Sequence, residues 1–380
     1  MKNEIKKWIW QHDEYPNFNY DKEQLLDLLT QVAYNRGVLD GVSKLFHSND
    51  IKEIELETLL NEAIHTSEIE GEYLKRESVR ASLLKKLNTE FDPDTDTSTH
   101  QSDALVDILI DSSVNKTPLT MQRLHGWHNS LFISGYSGLN KIKVASFRDH
   151  DDMKVVSGSI GHEKVHYVAP PQNNIMAEMA NLLEYINNSD ENTYIKSALA
   201  HLWFVSIHPY DDGNGRIARA ITDYILSSGD KATTQFKLYS VSMAINSDRK
   251  GYYDILDRTT NLFMNRTFDF TPWLKWHLKI LNNAMINANE QIKYLIEKTK
   301  FWDKHRDNHL NERQIKVLNK ILDAGSENFE GGINTKKYTS IVKKSKATVV
   351  RDIQELVSKG CIEQIEGTSG RNTRYRVKLS

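Results

Sequence analysis

Across most of residues 22–300, apolar residues recur every three or four positions, and that spacing predicts helices. Leu25, Leu28 and Val32 make one such stripe. Leu56, Leu59, Leu60, Ala63 and Ile64 make a second, and Ile195, Leu199 and Leu202 a third. Seven prolines in 380 residues leave these runs almost unbroken. The polar interval NTEFDPDTDTSTHQSD, residues 88–103, reads as a loop by composition. In KVVSGSIGHEKVHYVAPP the period changes. Two apolar runs, Val155-Val156 and Val165 to Val168, surround Gly158, Gly161 and a polar tip, which predicts a β-hairpin.

The last 70 residues follow another plan. Helices are expected over Glu312 to Leu322, Lys336 to Val342 and Lys346 to Lys359, then strands over Cys361 to Glu366 and Arg374 to Leu379 around the tip GTSGRN. Helix, helix-turn-helix and β-wing make a winged helix-turn-helix. Its third helix should turn Ser345, Lys346, Thr348 and Arg351 outward and Val350, Ile353, Leu356 and Val357 inward, with Arg371, Arg374 and Arg376 in or beside the wing. The expected division is a helical region over 1–105, a helical core over 106–300 and this module over 301–380, since 380 residues exceed one compact core.

Charge sharpens the contrast. The whole chain balances 49 basic against 51 acidic residues, which implies no overall polyelectrolyte partner. Residues 310–380 hold 14 Lys and Arg against 8 Asp and Glu, a surplus suited to phosphate contacts. DNA binding and a homodimer or docking role both remain open for this module. The one cysteine, Cys361, forms no internal disulfide and suits a reducing compartment. The start MKNEIKKWIWQHDEYP has no apolar signal core and no 18-residue apolar run follows, so the expectation is a soluble cytoplasmic protein without a membrane partner.

The candidate chemistry lies in HPYDDGNGRIAR, His208 to Arg219. Helical spacing precedes it in TYIKSALAHLWFVSI and resumes with Ile217, Ile221, Tyr224 and Ile225, so it joins a helix to the N-terminus of another. Unpaired N–H groups and the macrodipole make that N-terminus an anion site, and Gly213 and Gly215 admit a ligand close to the backbone. Arg216 and Arg219 can clamp further phosphate oxygens, Asp212 is a hard oxygen ligand for a phosphate-bound Mg²⁺, and His208 can accept a proton at neutral pH. GNGRIA formally matches a dinucleotide fingerprint, but a helix rather than a strand precedes it. The acids miss EF-hand spacing, and no Walker-type phosphate loop exists in the chain. A plain helix-helix turn explains GNG and leaves His208, Asp212, Arg216 and Arg219 unexplained.

HPYDDGNGRIAR resembles the signature of Fic-domain proteins, His-Pro-Phe-x-Asp/Glu-Gly-Asn-Gly/Lys-Arg-x-x-Arg, with Tyr210 replacing the usual Phe. The resemblance extends to the hairpin, Arg148 to Pro171, which is similar to the family's flap. It implies a mainly α, Fic-type helical core with a small hairpin flap, and transfer of AMP from ATP to a Ser, Thr or Tyr hydroxyl of a target protein, or of the enzyme itself. It implies further that His208 takes the hydroxyl proton and that Asn214 and the N–H groups of Gly213 and Gly215 hold the α-phosphate. Asp212 would bind Mg²⁺, and Arg216 and Arg219 would neutralise the β- and γ-phosphates. Val155, Val156, Ser157 and Gly158 would register the target by β-augmentation, unless the hairpin is only a packing lid. Tyr252, in KGYYDIL, matches the family's Tyr-Tyr pair near adenine, though tyrosines on a helix also serve as core.

A second stretch, HTSEIEGE, ends a helical run at Gly71, a natural left-handed terminator. Alone it is a solvated acidic helix end. Beside the Fic signature, Thr66-x-x-x-Glu70-Gly71 fits the family's inhibitory motif, in which the Glu70 carboxylate would occupy the Arg219 guanidinium. WIWQHDEYPNFNYD, Trp8 to Asp21, is similar to an N-terminal extension of bacterial Fic proteins and reads as packing. Two alternatives stand: a DNA-binding regulator with a degenerate core, and an enzyme that removes AMP with a water aligned by Glu70. The donor base, ATP against UTP or GTP, is not marked.

Overall fold

The stripes fold as helices that surround one buried pair, giving a mainly α molecule with three small antiparallel hairpins among its described residues. The structure is a computed structural model, and it describes residues 6–44, 48–87, 92–158, 162–228, 236–324 and 331–379. The hairpin tip at Gly161, the start of the polar interval at Asn88 and the side chain of Arg371 lie outside the described residues. Contacts divide the chain into units Met1–Asn289 and Glu290–Ser380. No described helix is long and apolar enough to cross a membrane.

In the first unit, α1 (Leu26–Ser43), α2 (Ser48–Ile69), α3 (Arg76–Leu87), α4 (His100–Val114) and α5 (Met121–Leu131) precede two hairpins. These are β1 (Tyr136–Ser137) with β2 (Asn140–Lys141), and β3 (Lys154–Ser157) with β4 (Lys164–Val168). Then come α6 (Gln172–Asn188), α7 (Thr193–Ile207), α8 (Asn214–Ser228), α9 (Val241–Ser247), α10 (Arg249–Thr260) and, as far as Asn289, the first part of α11 (Thr271–Lys304). α7 and α8 are buried on nearly every face, through Ala198, Leu202, Phe204, Ile217, Ala218 and Ile221, as helices at the centre of a bundle must be. The Leu56–Ile64 stripe of α2 packs on Val79, Leu83, Leu105, Val106 and Leu109.

The polar interval is shorter than its composition suggested. Thr99 accepts a hydrogen bond from the Ser102 backbone while the Ser102 hydroxyl bonds back to Thr99, and this capping box starts α4 at His100. The tail of the predicted loop, residues 100–103, is therefore the first turn of a helix. The N-terminal aromatics pack as expected. Trp8 meets Tyr167 of the hairpin edge-on at 5.4 Å between ring centres, Trp10 donates to the Val168 carbonyl at 2.8 Å, and Phe18 stands between Trp203 and Phe270.

The second unit holds α12 (Glu312–Ala324), α13 (Thr335–Val342) and α14 (Lys346–Ser358), then the antiparallel pair β5 (Ile362–Gln364) and β6 (Tyr375–Val377). Leu318, Tyr338, Val349, Ile353, Leu356 and Cys361 form its core. Arg313 grips the buried Asp352 with two bonds of 2.9 Å. The inward face of α14 differs from the one expected: Val349 is fully buried, Val350 only partly so, and Val357 is 41% exposed. With the helix starting at Lys346 on a Ser345 cap, the 349–353–356 row faces the core and Val357 falls beyond its edge.

Candidate active site

His208 caps α7 in a left-handed conformation, φ 49°, that a side chain adopts at a cost of about 1–2 kcal/mol. Its surroundings hold it there. Its N–H donates to the Phe204 carbonyl at 3.0 Å, and its own carbonyl accepts from Arg148 Nε at 2.9 Å. Arg148, itself buried, also donates to the carbonyls of His150 and Pro170 at 2.6 Å each, and its backbone N–H to Pro209 at 2.9 Å. The His208 ring sits with Nδ1 3.2 Å from the Val205 carbonyl. A carbonyl only accepts, so Nδ1 carries the hydrogen and Nε2 keeps its lone pair. Burial pushes the imidazole down to about 4, partly opposed by that bond to Val205, so the ring is neutral at pH 7.

The loop that follows is closed from within. Tyr210 is fully buried, stacks on His128 at 4.2 Å and places its hydroxyl 2.9 Å from His125 Nδ1, an anchor unavailable to phenylalanine. Asn214 bonds both polar backbone groups of Tyr210, at 3.0 and 2.8 Å. The resemblance assigned this amide to phosphate. Here it also closes the loop, with its oxygen and one of its two amide N–H groups engaged by Tyr210. Gly213 has φ +80°, and a Cβ there would press on the Phe132 ring at 2.7 Å. Asp212 accepts from the Ser137 hydroxyl and from the Gly213 N–H at 2.5 Å.

Arg219 is buried and gripped by the end of α2. Its Nε donates to Thr66 Oγ1 at 2.7 Å, and Nη2 donates to the Thr66 carbonyl at 2.9 Å and to Glu70 Oε1 at 2.7 Å. Burial works against its charge, but the Glu70 carboxylate together with Tyr252 and Tyr253 outweighs that and holds the guanidinium above its ordinary value. Gly71, φ +83°, ends the helix directly beyond. Arg216 has a partner that the motif spacing did not suggest: Nη1 donates to Glu72 at 2.8 Å, while Gln101 holds the same carboxylate oxygen at 3.1 Å and the Phe132 ring lies 5.1 Å from the guanidinium. A Cβ on Gly215 would collide with Glu70 Oε1, so the glycine makes room for that carboxylate. Behind the helix, Lys237 lies 2.6 Å from Asp223 and 3.5 Å from Glu62 of α2, which also accepts from Ser240 at 2.7 Å.

A cavity of about 600 Å³, within the range of small-molecule sites, opens beside His208, Gly215 and Glu70, while Arg216 lines a separate pocket with Glu72, Phe132 and Ser137. His208, Gly215 and Glu70 line one side; Val155, Val156, Ser157 and His166 of the hairpin line another; Tyr252 and Tyr253 lie on α10. Tyr252 is 2% exposed with its hydroxyl 2.9 Å from His201, so it is both core and cavity wall. Arg216 Nε and Arg219 Nη1 are buried without a partner among the described residues, two cationic donors suited to an anion. Asp212 is a single carboxylate, and no group of three or more His, Cys, Asp or Glu that could hold a metal occurs among the described residues. That donor set fits a hard cation taking most of its oxygens from phosphate and water.

Glu72, Arg148, Ser137 and the Glu62–Lys237–Asp223 cluster carry no short motif. Arg148 binds only carbonyls, and the others meet partners many residues away, so spacing gave no signal for them.

Comparison with known proteins adds the following. Residues 118–226 match the Fic/DOC family, and residues 8–89 match a Domain of unknown function (DUF4172). The fold is shared with a Fic family protein from Desulfovibrio desulfuricans, 18% identical, with a TM-score of 0.54 over 96% of this chain and 98% of that one. A Fic domain containing signaling protein from Bacteroides thetaiotaomicron, 17% identical, gives 0.50 over 71% of this chain and 97% of that one. A stretch of 65 residues is 35% identical to the "Uridine 5'-monophosphate transferase" of Xanthomonas campestris pv. campestris; it covers 15% of this chain and 12% of that protein's length.

Proposed function

The chain carries a Fic/DOC-family domain over residues 118–226, and on that premise we propose that it transfers a nucleoside monophosphate, AMP from ATP, to a hydroxyl of a target protein and is held inactive by Glu70. The observation that carries this reading is one cavity lined by His208, by Gly215 at the α8 N-terminus and by the Glu70 carboxylate. His208 Nε2 takes the proton of the incoming hydroxyl as its oxygen bonds to the α-phosphorus and the bond to pyrophosphate breaks. The N–H groups at the start of α8 face the charge that grows on the phosphate. Arg216 and Arg219 take the leaving phosphates, which requires Arg219 to exchange Glu70 for an anion. Asp212 would hold a Mg²⁺ that shields phosphate charge. Among the described residues β3 pairs with β4 alone, so its other edge offers backbone groups to an extended target segment.

Two neighbouring readings follow from particular observations. The likeness to a uridine 5'-monophosphate transferase favours testing UTP as donor. The position of Glu70 at the cavity also suits a carboxylate that aligns water for AMP removal.

Labelled ATP and UTP with Mg²⁺ should be offered to wild type, Glu70→Gly and Glu70→Gly/His208→Ala, and transfer to the proteins of a lysate measured. Glu70→Gly should exceed wild type at least about tenfold, and loss of His208 should cost ~10²–10⁴-fold. Equal transfer by wild type and Glu70→Gly would remove the inhibitory role; undiminished transfer without His208 would remove the mechanism. A preference for UTP would change the donor and leave the rest standing.

A further inference from the structure

The hairpin carries a hydroxyl–imidazole pair of its own. Ser157 Oγ on β3 lies 2.6 Å from His166 Nε2 on β4, and both line the 600 Å³ cavity with His208 and Gly215. His166 owes that position to a bulge. The register runs Val155 to Tyr167 and then Val156 to Val165, so His166 is the extra residue between the two pairs. Bulges of this kind re-aim a side chain and gather beside active sites.

The other hydroxyls of the cavity wall are engaged. Tyr167 donates to the Ser206 carbonyl at 2.8 Å, Tyr253 to the Ile69 carbonyl at 3.0 Å and Thr260 to the Leu256 carbonyl at 2.8 Å. Tyr252 is buried against His201. Among the described residues of this cavity, Ser157 alone is an exposed hydroxyl next to a ring nitrogen that can take its proton, the arrangement that activates a serine.

We infer that Ser157 is an internal acceptor of the nucleotide, with His166 as its base, an inference that rests on the transfer reading above. The Ser157 Oγ–H proton passes to His166 Nε2 and Oγ bonds to the α-phosphorus of the nucleoside triphosphate. The bond from that phosphorus to the pyrophosphate oxygen breaks, and pyrophosphate leaves with the electron pair. The product is a nucleotidyl-serine on the strand that would register a target, so each self-transfer closes the cavity of that molecule.

The test uses the full chain carrying Glu70→Gly, with Glu70→Gln as a second background that keeps the helix end, ATP or UTP with Mg²⁺, and site-resolved mass spectrometry. The expected result is one nucleotide at Ser157, its loss in Ser157→Ala, and a fall of at least tenfold in its rate of formation in His166→Asn. In His208→Ala the Ser157 adduct should persist while transfer to lysate proteins is lost. Nucleotide on other hydroxyls with Ser157 unmodified overturns this inference and leaves the transfer reading intact. An adduct on Ser157 that ignores His166→Asn and needs His208 overturns the pairing. No nucleotide on the chain or on any lysate protein, in either background, overturns both.

Discussion

Two guanidinium groups three residues apart meet two carboxylates two residues apart. Glu70 engages Arg219 and Glu72 engages Arg216, each at 2.7–2.8 Å, with the arginines buried and the acids about a third exposed. Bonds to a charged group are worth about 1.5–3 kcal/mol, less where solvent screens one partner. A conservative ~1 kcal/mol is about fivefold in an equilibrium constant. Glu72→Gln in the Glu70→Gly background should therefore lower KM for the nucleotide about fivefold with a smaller change in kcat. In wild type it should do little, because Arg219 stays engaged. Steady-state kinetics decide, and an unchanged KM would make Glu72 a bystander. Glu70 was legible because its spacing from Thr66 and Gly71 belongs to a known pattern. Glu72 lies past the helix end and its partner is 144 residues away, so only the folded chain joins them. Asn214 shows the reverse case: the motif named the residue, and only the folded loop adds that its side chain bonds Tyr210.

At the scale of elements, helical period gave α2, α7 and α8 their places, while composition misjudged where α4 begins. Ser, Thr and Asp look like loop residues, yet at a helix start they are caps, and Thr99 with Ser102 is such a pair. The weak β signal of the short β1–β2 pair went unread, although it brings Ser137 to Asp212. In the second unit, the stretch 331–351, across α13 and the start of α14, carries six Lys and Arg and no Asp or Glu. Lys336, Lys343, Lys344, Lys346 and Arg351 are exposed along it. This unit has its own core, so residues 290–380 should fold alone and bind duplex DNA through phosphates. With roughly four phosphates neutralised, affinity should fall about two orders of magnitude between about 50 and 200 mM salt. Gel-shift titrations at both concentrations measure this; no binding at low salt would leave the surface to a dimer or docking partner.

The whole molecule should be acid-sensitive, because histidines lie neutral in its interior. His128, His201 and His277 are each no more than 1% exposed, and burial lowers all three, His128 to about 4 and His277 to about 3. Between pH 6.5 and those values the unfolded chain binds protons at these rings that the folded one does not, so their contribution to stability falls as pH falls through that window and is indifferent to pH above it; the carboxyl of buried Asp223, raised to about 7, acts in the opposite direction. Each such histidine costs up to about 1.4 kcal/mol per pH unit, so three remove roughly 4 kcal/mol per unit near pH 5, against a total of about 5–15. Urea midpoints should hold from pH 8 to 7 and drop sharply between pH 6 and 5; a flat profile would mean these rings are charged or solvated. Slow motion is not needed to lift the Glu70 carboxylate. α2 is clamped at Glu62 by Lys237 and Ser240, yet Glu70 stands just past its last residue with a third of its side chain in water. Its release needs only a rotamer change, which for an exposed side chain takes picoseconds to nanoseconds, against about a tenth of a second for a typical enzymatic turnover. On the proposed inhibition by Glu70, held and released molecules should exchange many times within one catalytic cycle, so that reaction progress should start without a lag, at a rate set by the ratio of the two populations.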